Sequence, residues 1–280
     1  MKLQKFAVLA ASFGVPLCLH AVTLATWDFE SGTTGSAPAG AGVFVAGAGE
    51  ANSVVIVGDS STPADPFASS GNQSLYITRP SAGSTGQAVA QFSLPSDTGI
   101  LASGTISFDL YVVGNDSADG VIEIELGTLG TSDGSVTASE RKNSVAALQF
   151  WTRSGSIRSY SGGIVAGNLS AFNQTLVLNA KNTVSISWDV TAGTYAVSIN
   201  GTALTKGAGG SVVNSFGVTT AQAGVSDVRF TTNNANGAAF YVDNLTINGT
   251  PIPEPGNVAA LIAAVSIAGS IACRHIRSTR

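Results

Sequence analysis

The stretch NTVSISWDVTAGTYAVSINGT, residues 182–202, decides the fold class. Val184, Ile186, Trp188 and Val190 alternate with Thr183, Ser185, Ser187 and Asp189. Period two with one apolar and one polar face is the pattern of a strand packed on one side. Thr191-Ala192-Gly193 interrupts the run, and Tyr195, Val197 and Ile199 resume it. Asn200-Gly201 then supplies a tight turn, because both residue types enter positive φ at low cost. The stretch therefore predicts an antiparallel hairpin with a second turn at its exit.

Working outward, the same alternation recurs. Ile106, Phe108, Leu110 and Val112 share one face of 104–112, opposite Thr105, Ser107, Asp109 and Tyr111. Ile122, Ile124 and Leu126 oppose Val121, Glu123 and Glu125 in 120–126, and Ala146, Leu148 and Phe150 oppose Ala147, Gln149 and Trp151 in 145–152. Ala239–Asn248 reads as the last strand. Turn residues fall every 8–15 positions, the spacing of a β-sandwich or barrel. Residues 33–52 are rich in Gly and Ala and read as a long loop crossed by a short strand near Val43–Val45. No segment before residue 257 has the periodicity of a long amphipathic helix.

Composition narrows the chemistry. Between Val22 and Ile252 there is no Cys, His or Met; Cys18, Cys273, His20, His275 and Met1 all lie in the ends. This body can form no disulfide, offers no Cys or His to zinc, and cannot assemble a Ser-His-Asp or Cys-His nucleophile. It carries 8 Lys+Arg against 16 Asp+Glu, a net of −8, while the whole chain is −4. That balance excludes a nucleic-acid binder, whose affinity rests on neutralising phosphates. Charged residues are 11% of the chain, against roughly 25% in ordinary soluble domains. An enzyme built here would have to work with carboxylates, Lys, Tyr or Ser.

The two ends read as addresses. Lys2 and Lys5 precede the apolar stretch Phe6–Leu19 and the small residue Ala21, the pattern of a secretory signal peptide over 1–21. At the other end Pro253-Glu254-Pro255 stops the fold, since proline neither continues a strand nor starts a buried helix. An apolar run, Val258–Cys273, follows and ends in Arg274, His275, Arg277 and Arg280. As a helix its 16 residues span about 24 Å, short of a roughly 30 Å hydrocarbon core, so crossing needs thinning or snorkelling arginines. Arg274, Arg277 and Arg280 orient such a span with the tail in the cytoplasm. The expected organisation is a signal peptide at 1–21, a β domain at 22–252, and a tail at 253–280 with a transmembrane helix at 257–273.

The Pro253-Glu254-Pro255 motif, the short apolar helix and the terminal arginine cluster, in that order, resemble the PEP-CTERM sorting tail of Gram-negative bacteria. The resemblance covers about 28 residues. It implies export, an inner-membrane intermediate, cleavage by an exosortase, and delivery to the cell surface or extracellular matrix. The body, in turn, resembles the concanavalin A-like (laminin G-like) jelly rolls and related carbohydrate-binding modules. The carriers are Trp27-Asp28-Phe29-Glu30, Gln73-Ser74-Leu75-Tyr76-Ile77, the hairpin from Ser187-Trp188-Asp189 to Asn200-Gly201, and Phe240-Tyr241-Val242-Asp243-Asn244. The resemblance implies an all-β, two-sheet antiparallel sandwich and a sugar binder, an adhesion module or part of a glycan-active enzyme.

Four residues are candidate ligand contacts. Trp151 and Tyr111 sit on the polar faces of their strands, where an aromatic ring can stack on a pyranose. Glu123 and Glu125, two residues apart, point the same way with Cα atoms about 7 Å apart. A related jelly-roll glucanase family carries E-x-D-x-x-E on such a strand; Glu123-Ile124-Glu125-Leu126-Gly127-Thr128 lacks the middle Asp and the final Glu. The plain expectation for the pair is a solvated strand face with two repelling acids, or acids that bind ligand. Hydrolysis would require one of them with another acid such as Asp109. Trp27 and Trp188 line up with apolar neighbours and read as core. The loop Asp59–Asn72, with Pro63, Asp65 and Pro66, is long enough to shape a site. The jelly-roll resemblance also implies a structural Ca²⁺ held by Glu30, after the first strand, and Asp243, in the last, with backbone carbonyls completing the shell. Together these readings give a non-enzymatic surface protein that binds polysaccharide or a matrix protein. A jelly-roll glycan hydrolase and a purely structural coat protein are the alternatives.

Overall fold

A computed structural model describes residues 22–45, 53–67, 72–79, 87–96, 98–116, 119–130, 144–160, 169–207, 213–217, 223–233 and 237–251. The expected signal peptide and C-terminal helix lie outside these residues. The chain runs through β1 (Val22–Trp27), β2 (Ala41–Val45), β3 (Ser53–Gly58), β4 (Gln73–Arg79), β5 (Ala88–Ser93), β6 (Leu101–Val112), β7 (Val121–Gly127) and β8 (Ser144–Trp151). It continues through β9 (Ser156–Tyr160), β10 (Leu169–Thr175), β11 (Lys181–Asp189), β12 (Thr194–Ile199), β13 (Thr202–Ala203), β14 (Phe216–Gly217), β15 (Asp227–Asn233) and β16 (Ala238–Pro251). Among the described residues there is no helix, and so none long and apolar enough to cross a membrane.

Two antiparallel sheets result. The first has the order β13-β12-β11-β6-β16-β4-β3, with β1 also on β16 and β14 also on β12. The second has the order β10-β9-β8-β7-β15-β5-β2. Neighbours far apart in sequence, such as β6 beside β16 and β7 beside β15, join the consecutive meanders β7–β10 and β11–β13 into the two sheets by long crossovers.

The hairpin that signals the fold forms as its pattern requires. Val184 pairs with Ile199 and Trp188 with Tyr195. The residues at 182, 184, 186 and 188 are buried and those between them face outward. Asp189 Oδ1 accepts from the N–H groups of Thr191 and Ala192, both at 2.9 Å, and Gly193 closes the turn at φ +67°. Asn200 and Gly201 take φ +52° and +76°, the paired left-handed conformation of a tight hairpin turn. Trp188 is core, as expected, and its Nε1 donates to the Leu101 carbonyl at 3.2 Å.

Inward-facing residues of the two sheets make one core. Ile106, Phe108 and Leu110 of β6 and Phe240 and Val242 of β16 come from the first sheet; Ile122 and Ile124 of β7, Leu148 and Phe150 of β8, and Phe230 of β15 come from the second. Phe230 is its centre. Its ring meets Phe108 edge-on at 5.3 Å across the gap between sheets and Phe92 at 6.1 Å within its own. Edge-to-face pairs of this kind add about 0.5–1.5 kcal/mol beyond the area they bury.

The edge of β16 opposite β6 has two partners in succession. Residues 238–242 pair with β4, and residues 245–249 pair with β1. The pairing with β6 shifts register between Asp243 and Thr246. Asn244 stands at this handover with φ +52°, and Phe29, just past the end of β1, has φ +61°. Asp243 and Glu30 are thereby brought to one junction of three strands.

Candidate functional site

Three of the four expected ligand residues share one surface. Glu123 and Glu125 of β7 face away from the core on the second sheet, and Trp151 of β8 lies on the same side. The ladder places Glu125 between Arg229 of β15 and Ala147 of β8, and Glu123 between Thr231 and Gln149. Gln91 of β5 extends the first row beyond Arg229, and Arg158 of β9 extends the second beyond Gln149.

The expected solvated face is not what forms. Glu123, Glu125 and Arg229 are all 0% exposed, and every residue of β7 is buried. The two acids are kept apart electrically by separate partners. Arg229 Nε donates to Glu125 Oε2 at 2.8 Å, and its Nη2 lies 2.8 Å from the same oxygen in an ion pair. Gln149 Nε2 donates to Glu123 Oε1 at 2.5 Å. Trp151 is half-buried, with the Arg158 guanidinium 4.1 Å from its ring centroid, so one face of the indole is already covered. Alternation revealed which residues share this face; it could not reveal that four of the face's charges are paired and stacked. Arg229 and Thr231 alternate with Val228 and Phe230 in sequence, but only the register shows that Arg229 lies opposite Glu125.

Five polar atoms on this face have no hydrogen-bond partner among the described residues: Arg229 Nη1, Thr231 Oγ1, Gln91 Oε1, Trp151 Nε1 and Arg158 Nε. A buried polar group left unsatisfied costs about 1–3 kcal/mol, and native chains keep few of them. Several on one face make it the candidate surface for a further hydrogen-bonding partner.

Tyr111 is not part of this face. It lies on the outward side of the first sheet, on the far side of the sandwich, in a row that also contains Tyr241 and Tyr76. Ring centroids are 4.7 Å apart for Tyr76–Tyr241 and 5.9 Å for Tyr111–Tyr241, and Phe67 meets Tyr111 at 6.4 Å. The alternation of Leu75 and Ile77 with Tyr76, and of Phe240 and Val242 with Tyr241, is the signal that could have placed these tyrosines outward; their adjacency depends on β4 and β16 being neighbours. Asp109 is on this same outward side. It accepts from Lys181 Nζ at 2.7 Å, Thr183 Oγ1 at 2.8 Å and Asn244 Nδ2 at 3.0 Å. Burial opposes the charge of Asp109, but these bonds together hold its pKa below the usual carboxylate value. A hydrolytic pair of Asp109 with Glu123 or Glu125 is therefore ruled out by position. Groups pointing outward from two sheets about 10 Å apart are farther apart than the roughly 5–9.5 Å at which two carboxyls flank a glycosidic bond.

Glu30 and Asp243 both lie at the three-strand junction, near enough for the charge of Glu30 to act on Asp243. Glu30 Oε1 accepts from the Gln73 N–H at 3.2 Å. Asp243 accepts from the Asn244 N–H at 2.7 Å and from Asn72 Nδ2 at 3.2 Å. Asn72 Nδ2 also donates to Asp65 at 2.7 Å, so one amide lies between two carboxylates. Asp65 is buried and takes a further bond from Ser74 Oγ at 2.8 Å. Burial pushes the Asp243 carboxyl up to about 6; bonds from Asn72 and Asn244 oppose this, and the charges of Asp65 and Glu30 add to it. Among the described residues no three His, Cys, Asp or Glu side chains converge closely enough to hold a metal unaided. The carboxylates of Asp243, Asp65 and Glu30 are ligands of the type a hard cation takes, and it would relieve their excess negative charge, but the groups bonded to Asp243 are N–H donors of Asn72 and Asn244, which an ion would have to displace.

No family model matches the chain, and no curated protein matches it by sequence. Among solved structures, a carbohydrate esterase from the Shiga toxin-encoding bacteriophage phi24B superposes with a TM-score of 0.53 at 14% identity, over 82% of this chain and 100% of its own. A sialidase gives a TM-score of 0.53 at 13% identity over 81% of this chain, which spans only 18% of that protein. Lectin II from Ulex europaeus is matched at 14% identity over 82% of this chain and 100% of the lectin, with a TM-score of 0.46. At these identities the likeness is one of fold, a two-sheet sandwich of jelly-roll type.

The buried ion pair makes a measurable prediction. Glu125→Leu leaves the Arg229 charge buried without its partner and is expected to cost about 3–5 kcal/mol in urea unfolding. The double variant Glu125→Leu/Arg229→Met is expected to recover most of that loss, because removing both charges also removes their desolvation penalty.

Proposed function

We propose that this chain is an exported surface or extracellular-matrix protein whose jelly roll binds polysaccharide without turning it over. The observation that carries the reading is the set of unpartnered polar atoms around Arg229, Thr231, Gln91, Trp151 and Arg158 on one sheet face. A pyranose presents hydroxyl donors and acceptors around an apolar C–H face, and so supplies what these atoms and the indole ring lack. Glu123, Glu125 and Arg229 have no exposed surface. Half-buried Trp151 is the accessible part of the face and the first contact for a glycan. The fold likeness to a carbohydrate esterase and a sialidase supports a carbohydrate role. The commitment of Glu125 to Arg229 and of Glu123 to Gln149 disfavours hydrolysis. Binding of polysaccharides to residues 22–252, read by calorimetry alongside reducing-sugar release, tests the reading. Expected are binding, no sugar release, and binding at least about tenfold weaker in Trp151→Ala, a loss of about 1.4 kcal/mol. Sugar release that disappears in Glu123→Gln would overturn it in favour of a hydrolase.

The route belongs to the same proposal. An exosortase recognises Pro253-Glu254-Pro255 while the 257–273 helix holds the chain in the inner membrane with Arg274, Arg277 and Arg280 inside. The body then passes to the surface of a Gram-negative cell. Mass spectrometry of the mature surface protein should find it beginning near Val22 and ending near residue 253. Surface material that retains Arg280 would refute the sorting step.

Structural Ca²⁺ at Glu30 and Asp243 is the third element. The ion would hold the first strand, β4 and β16 together at their junction. A ligand that binds only the folded state adds about 2.7 kcal/mol at a hundredfold excess over its Kd. The raised pKa sets the pH window. Without the ion, ionised Asp243 is a cost to the fold; it is absent below the ordinary carboxylate value near pH 4, grows through pH 6 and is complete above it. The rise in Tm with millimolar Ca²⁺ is therefore expected to be largest above pH 6, to shrink toward pH 4, and to vanish in Asp243→Asn. Melting curves that superpose with chelator and with Ca²⁺ at pH 7 would leave these residues as plain strand-end acids.

A further inference from the structure

A second surface has the features of a ligand site and lies on the opposite side of the sandwich from the face described above. Along the outer edge of the first sheet, β3, β4 and the chain after β3 enclose an open cleft of about 600 Å³. Tyr76 and Val55 are register partners on the outward side of β4 and β3 and form its apolar wall. One flank of the Tyr76 ring is taken by Tyr241 at 4.7 Å, and Tyr76 also borders the cleft. The rim is polar: Asn72, Ser60, Thr62 and Asp59 all line it.

The edge of β3 is not open to another strand at this place. Ile56 N–H donates to the Ser36 carbonyl at 2.9 Å, and Gly35 N–H donates to the Ile56 carbonyl at 2.8 Å. Gly58 N–H donates to Ser61 Oγ at 2.8 Å, and the Gly58 carbonyl accepts from the Ser61 and Asp65 N–H groups. Strand addition at Ile56 and Gly58 is therefore excluded, and an occupant must use side chains.

Charge selects the occupant. Among the described residues no Lys, Arg or His lines the cleft, and Asp59 does. Behind Asn72 stand Asp65 and Asp243, both bonded to its amide. A phosphate, sulfate or carboxylate would enter against these acids with no cation to meet it. An aromatic and apolar wall opposite hydroxyl, amide and carboxylate groups matches a ring with one apolar face and hydroxyls around its edge.

We propose that this cleft is a second glycan-binding site, which takes pyranose units bearing no anionic groups, with Tyr76 as the stacking ring. This rests on the reading of the chain as a glycan binder and adds to it. With sites on opposite outer faces, one molecule can bridge two polysaccharide chains, so a matrix gains cross-links from a single domain.

The test uses tyrosine nitration of residues 22–252 with peptide mapping by mass spectrometry, so that the wild type alone is informative. Saturating neutral oligosaccharide is expected to slow nitration of Tyr76 at least about fivefold, and an oligouronate of the same length is expected to leave it unchanged. The same protection is expected in Trp151→Ala, whose second-sheet face is impaired. In calorimetry Tyr76→Phe should keep the site and Tyr76→Ala should weaken it about tenfold. Glycan binding with Tyr76 left unprotected overturns this inference and leaves the second-sheet reading standing. Protection by the oligouronate equal to that by the neutral sugar overturns the chemistry assigned to the cleft. Absence of binding by any glycan refutes both readings.

Discussion

The first sheet depends on how β16 shares its edges. β6 runs along one side for most of its length, while β4 and β1 divide the other between them. A strand can pass from one neighbour to another only by interrupting its ladder, and the backbone groups at the break must find other partners. Here the break is at Asp243 and Asn244. The Asn244 N–H turns back onto Asp243 Oδ1 at 2.7 Å, and the Asn244 side chain spans Asp109 at 3.0 Å and Asp243 at 3.1 Å. The left-handed conformation of Asn244 makes that turn possible, and asparagine is among the few non-glycine residues that adopt it readily. The first and last strands, β4 and the loop before it, are thus locked at one point by acids and amides rather than by a disulfide.

That junction explains why the acidic groups of this otherwise charge-poor chain cluster as they do. Asp65, Asp243 and Glu30 come from a loop, the last strand and the end of the first strand, and none is near another in sequence. Asn72 neutralises nothing, yet its amide holds two of the carboxylates. The same Asn72 lines the cleft beside Tyr76, so the junction and the cleft are one connected structure.

The second sheet solves a different problem. A jelly-roll sheet normally leaves one face to water, and here that face is buried along β7, while Trp151 and Arg158 beside it are half-buried. Burying Glu125 with Arg229 is tolerable because two guanidinium nitrogens meet one carboxylate oxygen of the acid; burying Arg229 alone would not be. Asp227 on the same strand is fully engaged, accepting from Ser93 Oγ at 2.5 Å, Ser226 Oγ at 2.7 Å and the Leu129 N–H at 3.0 Å. The contrast within β15 is informative. At Asp227 the bonds are made; at Arg229 Nη1 and Thr231 Oγ1 no hydrogen-bond partner is present among the described residues.

Alternation alone determined that 182–202 is a hairpin, that 104–112, 120–126 and 145–152 are strands, and which residues share each face, because a pleated strand sends every second side chain the same way. Composition alone removed disulfides, Cys or His metal sites and His-dependent catalysis from the body. Only the tertiary structure decided what lies opposite what. Period two is the same for a wet face and a buried one, so Glu123 and Glu125 read as solvated acids until β15 brought Arg229 beside one and β8 brought Gln149 beside the other. Tyr111 and Trp151 looked equivalent in sequence and lie on opposite sides of the sandwich, because β6 and β8 belong to different sheets. Asp65 sat in a loop with no chemical signature and became a buried acid through Asn72 and Ser74. Strand order and register are set by contacts between residues distant in the chain, and no local pattern of residues encodes them.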